Sequence, residues 1–163
     1  MKRLVPTAEM TLGPFFPREF AEGANDLTHL DGGQVAGEVI EVTGRVVQLD
    51  GKPLDNVVLE IWQADAEGRY DNPDFFGWGR AATDAAGVYL FKTIKPGGRA
   101  PSINFLLLYS GLMRQLQTVM FFERVELKEV KHAERLVAKK EGASRYRFDI
   151  RLRGEGETPF FED

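Results

Sequence analysis

The sequence contains no cysteine, and only two of its 163 residues are histidines, His29 and His132. The absence of cysteine excludes disulfide bonds, thiolate metal sites and cysteine nucleophiles. No apolar run approaches the roughly 20 residues that a membrane-spanning helix needs, and the first residues lack the apolar stretch of a signal peptide. The net charge of −4 comes without any basic stripe along the chain, which argues against a nucleic-acid partner. We expect a cytoplasmic protein that binds neither nucleic acid nor membrane.

Length and composition predict one folded domain preceded by an arm. Hydrophobic residues make up 43% of the chain and charged residues 28%, which is ordinary for a globular protein with a core of its own. Residues 1–36 are interrupted by proline, glycine and Asn/Asp turn residues, and this pattern is typical of an irregular arm. We expect Phe15, Phe16 and Phe20 in that arm to be covered by this domain or by a partner. Residues 37–163 then form the folded domain.

Short stretches rich in branched and aromatic side chains, with turn residues between them, predict six β-strands. Asp50-Gly51 is a hairpin signal after the first of them. Residues 146–153 alternate between apolar and charged side chains, as does a strand with one wet face. The six predicted strands lie at residues 38–47, 57–63, 87–94, 103–109, 116–122 and 146–153.

One segment, residues 127–140, has apolar side chains near helical spacing, and the lysines near its end suit a helix C-terminus. Many short strands and a single helix favour an all-β fold. We predict an antiparallel β-sandwich with an N-terminal arm and one short helix. The sequence contains no internal repeat and no low-complexity tract.

The predicted strand at residues 57–63 leads through a polar turn to Tyr70. A deprotonated tyrosine is a hard oxygen donor, so a phenol at the end of a rigid strand is suited to a metal site. The simpler interpretation, which we favour, is a strand-end tyrosine whose hydroxyl caps a turn. We likewise interpret Trp62 and Trp78 as packing aromatics, and Arg80 as a paired structural arginine.

Nine short motifs follow one another in a single order along the chain. They are Thr11-x-Gly-Pro, residues 42–47 (Val-Thr-Gly-Arg-Val-Val), residues 50–53 (Asp-Gly-Lys-Pro), residues 59–65 (Leu-Glu-Ile-Trp-Gln-Ala-Asp), residues 68–70 (Gly-Arg-Tyr), Gly79-Arg80, Thr83-Asp84, Gly87-x-Tyr89 and residues 93–97 (Thr-Ile-Lys-Pro-Gly). Together they resemble the intradiol ring-cleavage dioxygenases. The tail at residues 146–161 is similar to the end of the alpha-type subunits of protocatechuate 3,4-dioxygenases, a group within that family. The resemblance implies a β-sandwich of the intradiol dioxygenase type.

The resemblance also implies an iron site in the catalytic members of the family. They hold a ferric ion with two tyrosinates and two histidines, and they cleave the ring of an aromatic diol between its hydroxyl groups. Tyr70 matches the first tyrosine, but no tyrosine follows the Lys-Pro-Gly motif at residues 95–97. Ser102 and Asn104 stand where the two histidines are expected, and a hydroxyl and an amide are poor substitutes for two imidazoles. We therefore predict three vestigial metal-site positions, with no metal, no cofactor and no catalytic residue in this chain.

Resemblance to the alpha-type subunits implies a partner. Such a subunit packs against an iron-bearing beta-type chain, and an aromatic diol substrate binds at their interface, so we expect a hetero-oligomer in which this chain alone is inactive. The arginine that should contact the substrate's carboxylate falls at Ser110. Either a nearby arginine supplies that charge or the substrate has no carboxylate. The predicted substrate-pocket residues are Thr11, Gly13, Pro14, Arg99 and Arg114.

Two alternatives remain open at this point. The first is a stand-alone enzyme that keeps the scaffold of the family but uses another metal set or none. The second is a non-catalytic β-sandwich module that binds a small aromatic molecule or a carbohydrate, because a fold can persist after its chemistry is lost.

Overall fold

The computed structural model describes residues 12–13 and 16–161, so Thr11, Pro14 and Phe15 lie outside the described residues. The described residues form eleven β-strands and two short 3-10 helices. The helices are Arg18–Phe20 and Ala133–Leu136. The strands are β1 (His29–Leu30), β2 (Gly33–Gln34), β3 (Val39–Val47), β4 (Val58–Gln63), β5 (Trp78–Ala82), β6 (Val88–Ile94), β7 (Ser102–Leu108), β8 (Leu116–Phe121), β9 (Lys139–Lys140), β10 (Arg145–Arg147) and β11 (Ile150–Arg151).

The strands form two main sheets and a small hairpin of β1 and β2. In the first sheet the central strand is β3, which pairs antiparallel with β6 along one edge and parallel with β10 and β11 along the other. Strand β9 extends this sheet beyond β10. The second sheet has the order β5-β4-β7-β8, and all its pairings are antiparallel. Among the described residues, no helix has the length and apolar character needed to cross a membrane.

A single core lies between the inner faces of the two sheets. Ile40 and Val42 on β3 are buried, as are Leu59 and Ile61 on β4, because alternate side chains of each strand point toward the other sheet. Four buried aromatic rings meet there edge to edge or tilted, with centroids 5.5 to 6.2 Å apart. They are Tyr89, Phe91, Phe105 and Phe148.

The all-β prediction is confirmed, and five predicted strands coincide with β3, β4, β6, β7 and β8 to within one residue at each end. Strand β5 was not predicted, because its Trp-Gly-Arg-Ala-Ala sequence resembles a loop. It forms because Gly79 leaves room for the buried side chain of Leu27, while the amide of Arg80 donates to the carbonyl of Ala24 at 2.8 Å.

The last predicted strand, residues 146–153, is divided into β10 and β11, and both pair parallel with β3 rather than antiparallel. The division has a local cause at Asp149. Its carboxylate accepts a hydrogen bond from the backbone amide of Arg45 at 2.9 Å, in place of a backbone carbonyl. The predicted division into an apolar and a wet face is confirmed, since Tyr146 and Ile150 on the apolar face are buried.

The predicted hairpin turn at Asp50-Gly51 closes only a short local pairing. The amide of Gly51 donates to the carbonyl of Gln48 at 2.9 Å, and Val47 bridges to Pro53. The chain then crosses to the second sheet instead of pairing β3 with β4. Thr83 holds this crossing, because its buried hydroxyl donates to the carbonyl of Leu54 at 2.6 Å and accepts from the backbone amide of Val57 at 2.9 Å.

The helix predicted for residues 127–140 is wrong. Only the 3-10 helix Ala133–Leu136 forms within it, and it starts after His132, whose φ of 61° is left-handed and incompatible with a continuing helix. Leu136 and Ala138, which are two residues apart, are both buried, and burial of every second residue is typical of a strand. The following residues, Lys139–Lys140, form β9 because β10 offers them a sheet edge.

A buried carboxylate organises the loop between β4 and β5. Asp65 is 3% exposed and accepts hydrogen bonds from the amides of Glu67 and Arg69, from Arg69 Nε and from Asn72 Nδ2, at 2.8 to 3.1 Å. Burial by itself raises the pKa of Asp65, but these hydrogen bonds outweigh it and lower the pKa to about 2. The loop that carries Tyr70 is thus folded around one charge.

Strand β3 and the segment after β10 approach each other closely at Gly44. A Cβ at this position would overlap the backbone carbonyl of Phe148 and the hydroxyl of Tyr89. That hydroxyl donates to the same carbonyl at 2.5 Å. Burial, together with the Asp149 carboxylate, raises the pKa of Tyr89 well above its ordinary value, so the hydroxyl keeps its proton.

We expect Gly44→Ala to lower the free energy of unfolding by about 1–3 kcal/mol, because the overlapped carbonyl belongs to the backbone and cannot rotate away. Urea unfolding followed by tryptophan fluorescence measures this. Gly33→Ala is the matched control, since the nearest atom to its Cβ is the carbonyl oxygen of Leu30 at 3.5 Å, and it should change stability by less than about 0.5 kcal/mol. Equal stability of the two variants would contradict the close approach at Gly44.

Asp65 predicts a specific loss of stability in acid. Its folded-state pKa of about 2 lies below the ordinary value of 3.8. Its contribution to the free energy of unfolding is therefore present above about pH 4 and is lost as the pH falls toward about 2. The total loss is about 2 kcal/mol. Urea unfolding at pH 6 and pH 2.5 should show an acid loss smaller by about this amount in Asp65→Asn than in the unmodified chain. Asp71→Asn, on an exposed neighbour, should keep the full loss. An identical acid loss in both variants would refute this role of Asp65.

Candidate functional site

Strands β4 and β7 present different side chains to the two faces of the second sheet, because side chains alternate along a strand. Ile61 and Phe105 are buried in the core, whereas Trp62 and Asn104 are exposed on the opposite surface. The register places Trp62 between Asn104 on β7 and Trp78 on β5. We term this surface of the second sheet the outer face.

A groove of about 650 Å³ lies at one end of the outer face. Ser102 and Asn104, the two positions predicted to match the family's histidines, both line it. Their neighbours on adjacent strands make the rest of the lining a mixture of aromatic, aliphatic and amide groups. These further lining residues include Glu60, Trp62, Trp78, Gln117, Val119, Phe121 and Phe161.

Tyr70 lies next to this groove, in the loop that Asp65 organises. Its ring stacks on that of Trp62, with centroids 6.1 Å apart and planes inclined by 22°, and the side chain is 51% exposed. Since Trp62 pairs in register with Asn104, the structure brings the three predicted vestigial positions, Tyr70, Ser102 and Asn104, to one end of the outer face.

The donor set at these positions does not fit a ferric ion. It offers one phenol, one hydroxyl and one amide, and the amide nitrogen of Asn104 donates to the carbonyl of Trp62 at 3.1 Å. Imidazoles and anionic oxygens are the usual ligands of such a metal. Within residues 12–13 and 16–161, no three His, Cys, Asp or Glu side chains lie close enough to hold a metal ion.

Neither histidine lines the groove. His29 lies on β1, where its Nδ1 is 3.0 Å from the hydroxyl of Thr28. His132 lies in the segment before β9, where its Nδ1 is 3.4 Å from the carboxylate of Glu134. Both belong to other parts of the fold and lie away from Ser102 and Asn104.

Arg80 and Glu60 form an ion pair in the row beside Trp62 and Trp78. Arg80 Nε and Nη2 both donate to Glu60 Oε1, at 2.9 and 2.5 Å, and the two side chains are only 24% and 21% exposed. The guanidinium also lies over the ring of Trp78, 5.0 Å from its centroid. The expected structural pairing of Arg80 is confirmed, and it neutralises the one carboxylate of the groove lining.

The arm crosses the opposite end of the outer face. A second, smaller groove of about 240 Å³ lies there, and Gly13 lines it together with Ser110, the position that matches the family's carboxylate-binding arginine. The other lining residues include Phe16, Arg18, Val58 and Ala82. Thr11 and Pro14, the neighbours of Gly13 in the predicted substrate pocket, lie outside the described residues.

The two candidate arginines lie beyond opposite ends of β7. Arg99 precedes this strand, next to Gly98, which contacts Gly68 in the loop that carries Tyr70. Arg114 follows the strand in the same connection as Ser110. Both side chains belong to exposed residues. Arg114 therefore lies in the connection after β7 that also carries Ser110, and Arg99 lies in the connection before β7.

Trp62 packs against Tyr70 in a loop, which agrees with its interpretation as a packing aromatic. Its place in the groove was not predicted, and it is 42% exposed on the outer face. The signal was available, because Trp62 has the same parity along β4 as the charged Glu60, and residues of equal parity share a face. Trp78, half-buried opposite it on β5, could not be placed without knowing that β5 is a strand.

Comparisons with known proteins identify the family of this chain. A family model described as "Dioxygenase" matches residues 11–107. The protocatechuate 3,4-dioxygenase beta chain of Burkholderia cepacia is 34% identical over an alignment that covers 96% of this chain and 84% of the relative. The protocatechuate 3,4-dioxygenase alpha chain of Pseudomonas putida is also 34% identical, with 77% of each chain covered. Sequence identity therefore does not separate the alpha type from the beta type here.

Solved structures share the fold. The dioxygenase domain of a dioxygenase carbohydrate-binding protein fusion from Streptomyces sp. SirexAA-E superposes with a TM-score of 0.63 at 24% identity, covering 92% of this chain and 99% of that one. The 3-chlorocatechol 1,2-dioxygenase of Rhodococcus opacus 1CP gives a TM-score of 0.60 at 23% identity, covering 89% and 71%. Since the family model spans more than half of the sequence and relatives at 34% identity span most of it, the chain belongs to the intradiol ring-cleavage dioxygenase family.

Proposed function

We propose that this chain is an alpha-type subunit of a protocatechuate 3,4-dioxygenase-like enzyme, which holds no iron of its own and completes the substrate pocket of an iron-bearing beta-type partner. One observation carries the proposal. Ser102 and Asn104 line the groove, and Tyr70 lies beside it. Among these three predicted ligand positions, Tyr70 is the single residue of a type that binds the metal. A scaffold retained without its donor set is consistent with a structural and substrate-binding role beside a catalytic chain.

In such a complex the partner's iron would supply the activation of the aromatic diol toward dioxygen. The contribution of this chain would be to bind and orient the substrate and to exclude water. We assign Thr11, Gly13 and Pro14 of the arm to this role. Gly13 suits it because its φ of 73° is readily adopted only by glycine, and a backbone without a Cβ can approach a ligand closely. We place the complex in the cytoplasm, as the sequence predicts.

The charge that receives a substrate carboxylate is assigned to Arg114 rather than Arg99. Arg114 shares a connection with Ser110, and Ser110 shares the smaller groove with Gly13. Arg99 lies beyond the other end of β7. An arginine four residues after Ser110, in the same connection, can present a guanidinium fork to a carboxylate.

Measurements of iron content and activity test whether the iron and the catalysis belong to the partner chain. We expect the purified chain alone to lack stoichiometric iron by elemental analysis, to lack the visible absorption of a ferric tyrosinate and to leave catechol and protocatechuate uncleaved, since its groove lacks imidazole donors. Co-expressed with the beta-type chain of its own organism, it should copurify with iron and ring-cleaving activity. Stoichiometric iron and turnover in the chain alone would overturn the proposal.

Substrate charge tests the assignment of Arg114. In the active complex, Arg114→Ala should raise KM for protocatechuate by about 10–100-fold, the loss expected for one charge-assisted hydrogen bond, and should change KM for uncharged catechol little. Arg99→Ala is the matched control and should affect both substrates equally. Carboxylate-selective loss in Arg99→Ala instead would move the assignment to Arg99, and no selectivity in either variant would indicate a substrate without a carboxylate.

A further inference from the structure

The larger groove of the outer face crosses all four strands of the second sheet, and its lining includes a row of side chains in register. The row runs from Trp78 on β5 through Trp62 on β4 and Asn104 on β7 to Val119 on β8. Neighbouring strands lie about 4.8 Å apart, so three strand spacings make this row roughly 14 Å long. A groove of this length can hold a ligand of more than one ring.

Two indole side chains form the apolar surface at one end of the groove. Trp62 is 42% exposed, and Trp78 lies half-buried beside it on the neighbouring strand. The ring of Trp62 is held in place by stacking on Tyr70. An indole offers a large flat apolar surface together with one polar N–H group. This end of the groove is therefore suited to the apolar face of a ring.

Uncharged polar side chains follow along the rest of the groove. The amides of Asn104, Gln115 and Gln117 and the hydroxyl of Ser102 line it. Asn104 Nδ2 donates to the carbonyl of Trp62 at 3.1 Å, which fixes the orientation of this amide. Amides and hydroxyls both donate and accept hydrogen bonds. The complementary ligand carries several groups that do the same, as hydroxyl groups do.

The groove favours a ligand without charge. Of the described residues that line it, Glu60 is the single ionisable one. Arg80 neutralises it, and both hydrogen bonds from Arg80 fall on Oε1. Oε2 of the same carboxylate can therefore accept from a ligand hydroxyl. An anionic ligand would lie beside Glu60 without a cation of the lining to bind it, so its desolvation would be unfavourable.

The spread of polar groups distinguishes between neutral ligands. They stand on β4, β7 and the start of β8, at Glu60, Asn104 and Gln117 among others. An aromatic diol has two adjacent hydroxyl groups on one ring and reaches a small part of this set. A chain of sugar rings carries hydroxyl groups along its whole length, and each saturated ring also has an apolar face of C–H groups.

We propose that this groove binds a short, neutral oligosaccharide. One sugar ring packs on the indoles of Trp62 and Trp78, and the hydroxyl groups of the chain bind Glu60, Asn104 and Gln117. The site goes beyond the proposed function, because it requires neither iron nor a partner chain.

Titration of the purified full-length chain with cellotriose, a neutral trisaccharide of glucose, tests the inference. Calorimetry gives the dissociation constant. The two tryptophans of the chain both line the groove, so bound sugar should also protect tryptophan fluorescence from quenching by acrylamide. We expect saturable binding with such protection.

Groove variants show whether the sugar binds at this site. Trp62→Ala should weaken binding by about tenfold or more, and Asn104→Ala by about threefold or more. Phe20→Ala is the matched control, because Phe20 is an aromatic residue that is 60% exposed and lies on the arm, outside the groove lining. Its affinity should be unchanged. Circular dichroism and thermal unfolding of each variant check that it folds.

A charged form of the same ligand tests the requirement for neutrality. Cellotriose oxidised at each C6 to a carboxylate should bind about tenfold more weakly or worse than the neutral sugar.

Several results would contradict the inference. They are the absence of cellotriose binding, equal affinities of Trp62→Ala and Phe20→Ala, and equal affinities for the neutral and oxidised sugars. Protection of tryptophan fluorescence by catechol but not by cellotriose would assign the groove to aromatic ligands instead. In each of these cases the proposed function stands, since iron content and copurification test it separately.

Discussion

The antiparallel register of β4 between β5 and β7 is the constraint on which the outer face depends. It places Trp62 in one row with Trp78 and Asn104, and Glu60 in the next row with Arg80. A slip of one residue would turn Ile61 outward and drive the ionic row into the core. Burying an ion pair carries a large desolvation cost. The apolar inner face and the charged outer face therefore both favour the observed register of β4.

Hydrogen bonds position the residues at this end of the outer face. Asp65 takes four hydrogen bonds within its loop, and the amide of Asn104 is turned toward the carbonyl of Trp62. Tyr70 is positioned by the Asp65 loop and by the ring of Trp62. The loop and the sheet are thus stabilised by contacts within the chain itself.

The arm and the sheet form one surface through Arg80. This single guanidinium pairs with Glu60, lies between the rings of Phe16 and Trp78, and binds the carbonyl of Phe20. A planar cation can satisfy all of these contacts because it donates in its plane and is attracted to aromatic rings above and below. The same residue therefore neutralises the groove and anchors the segment that carries the predicted substrate-pocket positions.

The sequence by itself determined the strands whose burial alternates locally and the family motifs, and it predicts that Ser102 and Asn104 stand where the family has histidines. These are properties of residue type and spacing, which do not depend on distant parts of the chain. Tertiary structure alone decided the rest. Strand β5 needs Leu27 above Gly79, β9 replaces the predicted helix because β10 provides an edge, and the arm brings Gly13 into one groove with Ser110. Each of these depends on contacts between residues far apart in sequence, and local periodicity carries no information about such contacts.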